Sequence, residues 1–180
     1  MLDTLITSKT RIKLLIRFFL NNNSSSYLRN LETEFDESTN AIRLELNRFE
    51  KAGLLISGME RNRKVYRANT RHPLFPDISN IIKKYVGFDQ LIEKVMEQLG
   101  TIDKAYITGD LALGRDTRRI DLLLYGTNID REYLDQLAKK TALLIKREIH
   151  YKILTDYDHE EFKKTYPKAF EIWRTGKNEQ

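Results

Sequence analysis

The sequence predicts an α+β protein, with an N-terminal unit of three helices and a β-hairpin ahead of a small α/β domain. Three patterns carry that expectation. Apolar residues recur at helical three-and-four spacing from about residue 8 to residue 52. Two short β-rich runs then flank a charged turn between residues 54 and 68. Beyond Gly100, β-rich runs alternate with one long helical pattern. The boundaries this implies are 1–72 for the first domain, 73–100 for a helical linker or dimerisation segment, and 101–175 for the second domain.

The first helix starts near Ser8, with Thr7 or Ser8 as N-cap and Ile12, Leu15, Ile16, Phe19 and Leu20 along one face. Leu14 and Phe18 make a second apolar face, so this helix needs two partners. The polar loop 21–26 offers serines to cap a second helix, whose stripe is Tyr27, Leu28, Leu31 and Phe35. After the turn Asp36-Glu37-Ser38, a third helix runs from about Thr39 to Ala52 on Ile42, Leu46 and Phe49, and Gly53 ends it. Leu54–Ile56 and Val65–Ala68 read as strands around the charged turn 60–64. His72-Pro73 and Phe75-Pro76 interrupt the chain, because proline keeps its predecessor out of helical geometry. Amphipathic stretches follow on either side of Gly87. In the last third, Ala105–Ile107, Ile120–Tyr125 and Glu148–Leu154 read as strands, and 130–145 as a helix. The stretch 157–173 reads as a further helix capped by acids within 156–161, with a loose tail from Gly176.

Composition narrows the function classes. With 41% hydrophobic and 32% charged residues the chain is globular rather than disordered. No apolar run approaches the roughly 20 residues of a membrane span, and the first residues lack a signal peptide's layout, so the cytoplasm is expected. The absence of cysteine excludes disulfides and thiolate metal sites. The net charge of +5 is unevenly spread: residues 1–87 carry 15 basic against 9 acidic side chains, and residues 88–180 carry 16 against 17. A polyanionic partner would therefore be drawn to the N-terminal half.

Three helices followed by a basic-tipped hairpin is the layout of a winged helix. With Ile42, Leu46 and Phe49 inward, Thr39, Asn40, Arg43 and Asn47 face outward, and Arg and Asn suit guanine and adenine edges in a major groove. Arg61, Asn62, Arg63 and Lys64 at the hairpin tip suit phosphate or minor-groove contact, and Lys9 and Arg11 could add backbone contacts. The competing reading makes each of these a solvated residue on a small helical domain. Leu44 points outward as well, toward a thymine methyl, a dimer contact or a shifted register.

Two resemblances accompany these patterns. The stretch 8–15, Tyr27–Leu31, Glu45–Leu55 with its Glu-Lys-Ala-Gly-Leu-Leu run, and Asn62–Asn69 into His72–Pro76 resemble the ArsR-like winged-helix transcription regulators. That resemblance implies a homodimer bound to double-stranded DNA, although the cysteines used by metal-sensing relatives are missing. Tyr106–Arg115 and Arg119–Leu124 resemble the minimal nucleotidyltransferase fold. That family carries a Gly-Ser pair after one strand, an Asp-x-Asp pair on the next to hold Mg²⁺, and a third carboxylate on a later strand. Here Gly109 stands but Asp110 replaces the serine, Arg119 replaces the first paired carboxylate, Asp121 remains, and Glu148 fits the third place.

The expectation drawn is a non-enzymatic DNA-binding regulator with no cofactor, no metal and no catalytic residue. Its degenerate pocket either packs structurally or takes a small anionic ligand on Arg115, Arg118 and Arg119. The alternatives are a nucleotidyltransferase with a DNA- or protein-targeting winged helix, and an antitoxin-like protein-interaction module. His72, His150 and His159 are too scattered to suggest a site.

Overall fold

Ser8 opens the first long helix as expected: its Oγ accepts from the Arg11 N–H at 3.2 Å. A computed structural model of the chain describes residues 2–21, 24–99, 101–115, 117–154 and 159–176. The chain divides into two units, Met1–Tyr85 with Gly114–Asp116, and Val86–Leu113 with Thr117–Gln180.

In the first unit, a short helix α1 (Leu2–Leu5) precedes α2 (Lys9–Leu15), whose last turns widen into π-helix over Ile16–Leu20. The wider turn sets every residue from Leu14 to Leu20 in the interior, including Phe18 and Phe19. The loop serines do not cap the next helix. Ser24 Oγ instead donates to the Arg17 carbonyl at 2.5 Å, and Ser25–Tyr27 form a strand, β1. Helix α3 (Leu28–Phe35) follows, and α4 (Thr39–Lys51) begins at Ser38, whose Oγ accepts from Ala41 N–H at 3.2 Å. Ile42, Leu46 and Phe49 are buried as the spacing requires. Gly53 ends the helix at φ +73°, a conformation that disfavours side chains.

The strands β2 (Leu55–Glu60) and β3 (Arg63–Ala68) are longer than the sequence indicated. Arg61 and Asn62 alone make the turn, with φ of 45° and 65°, as two-residue hairpin loops of mirror-image geometry require. The sheet order is β1-β3-β2, all antiparallel. Helix α5 (Phe75–Val86) starts earlier than expected, because proline in a first turn lacks only an N–H that has no helical partner. Phe75 meets Phe19 at a ring distance of 5.5 Å, and Ser79 Oγ donates to the Phe19 carbonyl at 2.8 Å. Arg17, 3% exposed, pairs with Glu34 at 3.2 Å inside this unit.

The second unit opens with α6 (Phe88–Leu91), a π turn over Ile92–Met96 and α7 (Glu97–Leu99). Strand β4 (Ile102–Thr108) leads into the one-turn helix α8 (Gly109–Ala112), followed by β5 (Arg119–Gly126). Helix α9 (Arg131–Ile145) has Asp130 as N-cap and returns the chain to β6 (Glu148–Leu154), parallel to β5. The expected helix over 157–173 is largely overturned. Helix α10 covers only His159–Thr165, and Phe170–Arg174 form β7, antiparallel to β4. The acidic cap expected over 156–161 and the tail beyond Gly176 lie wholly or partly outside the described residues. Sheet order is β6-β5-β4-β7. In β5, Ile120 and residues 122–125 are all buried, as a central strand covered on both faces demands. No helix among the described residues is long and apolar enough to cross a membrane.

Candidate functional site

Strand alternation divides one face of the second sheet into a dry end and a polar end. Residues 119, 121, 123 and 125 of β5 share that face. Their register partners are Thr108 and Tyr106 on β4, and Glu148, His150 and Lys152 on β6. Leu123, Tyr125 and Tyr106 are covered by Phe162 of α10, with Tyr106 and Phe162 rings 4.6 Å apart. Arg119, Asp121, Glu148 and His150 lie beyond that cover, where the face is polar.

Asp121 is the hinge of this polar end. Its Oδ1 accepts from Arg119 Nε at 2.7 Å and Nη2 at 2.6 Å, a two-pronged charge-assisted pair. On its other side lies Gly109 at φ +66°, where a Cβ would stand 2.6 Å from Asp121 Oδ2. Glycine is therefore required there twice, for backbone angle and for space. The hydrogen bond and charge of Asp121 raise the Arg119 pKa, and the carboxylates of Glu148 and Asp110 add to the rise. One guanidinium thus sits in the field of three carboxylates. Thr117 Oγ1 donates to the Arg119 carbonyl at 2.8 Å, fixing the start of β5. The sequence pattern missed His150, whose Nε2 is 3.5 Å from Glu148 Oε2. Counting by twos along β6 from Glu148 would have placed it on the same face.

The Mg²⁺ that a nucleotidyltransferase pattern implies does not fit this donor set. Arg119 stands in place of one ligand, and its guanidinium holds the remaining paired carboxylate. Among the described residues no group of three or more His, Asp or Glu is arranged to hold a metal ion. Arg115, expected to line this pocket, belongs to the first unit, where its Nε donates to the Glu34 carbonyl at 2.6 Å. Arg118 and Arg119 remain exposed in the second.

The residues predicted on the N-terminal unit separate into exposed and engaged groups. Asn40, Arg43 and Asn47 are exposed on α4, Thr39 is half-buried, and Leu44 is 51% exposed, which supports the helical register. Lys9, Arg61 and Asn62 are exposed too. Arg11, by contrast, binds Glu45 through Nε at 2.9 Å and Nη2 at 3.2 Å, and Arg48 reaches the same carboxylate at 2.8 Å. Burial works against the Glu45 charge, but the Arg11 hydrogen bond and the two arginine charges prevail and lower its pKa. Lys64 pairs with Glu50 at 2.7 Å, and Arg63 lies over the Tyr27 ring at 4.9 Å. Arg11 and Lys64 are thus held by carboxylates, and Arg63 is stacked.

No protein-family profile and no curated protein matches the chain. Among solved structures, a tri-AMPylated HEPN toxin of Shewanella oneidensis in complex with MNT antitoxin is similar at 15% identity and TM-score 0.37, over 49% of this chain and 71% of that one. A toxin–antitoxin with AMP-PNP is similar at 15% identity and TM-score 0.40, over 49% and 73%. A further structure from Shewanella oneidensis shares 17% identity at TM-score 0.35, over 51% and 70%.

These findings correct three expectations. The assignment to ArsR-like regulators is withdrawn, because no such profile matches the chain. The reading as a transcriptional regulator falls with it. The exclusion of enzymatic activity is withdrawn as well. A missing paired carboxylate is too narrow a ground for that exclusion.

Proposed function

We propose that this chain is an antitoxin-like module of the nucleotidyltransferase fold that binds nucleotide phosphates at Arg118 and Arg119 and works on, or with, a protein partner. The observation that carries the reading is the Gly109–Asp121–Arg119 arrangement. Asp121 engages two of the five N–H donors of Arg119 and orients the guanidinium. The remaining donors stay directed to solvent on a side chain that is 57% exposed. Guanidinium forks match phosphate oxygens two at a time, and the exposed Arg118 immediately precedes β5. No step is routed through a metal. In the solved complexes the nucleotide and the toxin belong to those proteins; here the reading rests on this chain's own geometry. The N-terminal unit is read as a winged helix that targets the partner through the exposed face of α4 and the Arg61–Asn62 tip.

Calorimetric titration with AMP-PNP tests the reading, alongside incubation with labelled ATP. Binding that weakens at least about tenfold in Arg119→Ala, with label appearing on a co-purifying protein, supports it. Equal AMP-PNP binding by wild type, Arg119→Ala and Asp121→Asn refutes the assignment. A chain that takes no nucleotide but retards duplex DNA through Arg43 refutes it in favour of duplex DNA as partner.

A further inference from the structure

We infer that the C-terminal end of α9 is a docking surface for a protein segment that carries acidic side chains around one large apolar anchor. This deepens the partner-binding reading above and rests on it; the surface shares Arg118 and Glu148 with the candidate site, but the side chains that test it belong to α9 and its C-cap alone. An open cavity of about 580 Å³ is lined there by Arg118, Lys139, Lys146, Arg147, Ala142, Leu143 and Glu148. Four cations thus face one carboxylate. Among the described residues neither Arg118, Lys139 nor Lys146 has a carboxylate partner. Beside the cavity, Leu143 is 81% exposed and Leu144 57% exposed, consecutive leucines on a helix whose buried face is already complete with Leu134, Leu137, Ala138 and Thr141.

The combination narrows the occupant. Cations in a concavity ask for carboxylates or phosphates, whereas adjacent exposed leucines ask for an apolar surface. Nucleic acid offers the first without the second. An anionic bilayer offers both, but a flat surface leaves a concavity unfilled and brings phosphates against Glu148. An acidic protein segment with an apolar side chain satisfies all three features, its main-chain N–H groups being able to meet the Glu148 carboxylate. Lys146 ends α9 at φ +57°, a conformation in which glycine is favoured, and places a charged side chain at the cavity rim.

The test is fluorescence anisotropy of the full chain with a short labelled peptide of Asp and Glu around a central Leu-Phe pair. Vesicles of phosphatidylserine with phosphatidylcholine and a labelled duplex oligonucleotide run in parallel. The expected result is saturable peptide binding that weakens at least about tenfold in Leu143→Ser/Leu144→Ser and in Lys139→Glu/Lys146→Glu. Lys146→Gly should weaken binding while the melting temperature holds or rises, which separates docking from folding. Absence of peptide binding, or equal binding by wild type and variants, overturns the inference. Loss of vesicle or duplex binding in the same variants, with peptide binding unchanged, overturns it in favour of that other surface. AMP-PNP affinity is measured on every variant: its retention separates a failed docking surface from a failed nucleotide site.

Discussion

Replacing Gly109 by alanine isolates the contact on which the candidate site is built. At φ +66° a side chain costs about 1 kcal/mol from the backbone alone. The added Cβ would also stand 2.6 Å from Asp121 Oδ2 and 3.3 Å from its Cγ, so the carboxylate must rotate and release Arg119. A comparable further cost brings the total to about 2 kcal/mol. For a chain of this size that lowers the melting temperature by about 4–8 °C. Trp173 is the only tryptophan and lies in β7 of the second unit, with its Nε1 donating to the Ile102 carbonyl at 3.2 Å. Its fluorescence therefore reports the melting of the unit that contains the substitution. In an Asp121→Ala background the clash is gone, and Gly109→Ala should cost only the backbone part, about 1 kcal/mol. Equal costs in the two backgrounds would refute the reasoning, because the Gly109–Asp121 contact would then carry nothing.

Three further outcomes are expected. Glu34→Ala leaves the buried Arg17 guanidinium without its carboxylate, so urea unfolding of the first unit should show a loss of about 3–5 kcal/mol. Arg17→Leu/Glu34→Leu should recover much of that loss. Because Arg11 and Arg48 hold the Glu45 pKa below its ordinary 4.5, against the opposing effect of burial, its contribution is complete above that pH. That contribution is lost as pH falls through the lowered value, so acid melting curves of Glu45→Gln should be flatter than those of wild type. Burial, and then the hydrogen bond to Asp135, push the Tyr151 hydroxyl up to about 12. Ultraviolet titration should place one tyrosine near that value and show it falling in Asp135→Asn.

The elements with clean periodicity were legible in the sequence. The spacing of Ile42, Leu46 and Phe49 gave α4 its buried face, and Asp130 and Gly53 mark helix ends that the structure keeps. What escaped has a common physical cause, in that tertiary pairing decided it. Ser25–Tyr27 carry no strand pattern of their own and become β1 only because β3 offers a free edge. Phe170–Arg174 read as the tail of a helix until β4 claims them. The π turn at Ile16–Leu20 is invisible to a count at 3.6 residues per turn, since it changes the count itself. At the site, the residues of the Gly-Asp and Arg-x-Asp pattern were readable, but the ion pair of Arg119 with Asp121 is set only by the folded geometry. The cationic end of α9 was missed because Lys139, Leu143 and Lys146 are distant from that motif in sequence and meet Arg118 and Glu148 only in the fold.

The pairing of β7 with β4 has a consequence for how this chain is made. Residues 102–108 leave the ribosome more than sixty positions before their neighbour at 170–174. During that interval one border of β4 has its amides and carbonyls uncovered, the kind of open ladder that captures stray strands. Anything that halts synthesis before Arg174 leaves a nascent chain with β4 still bare on that side.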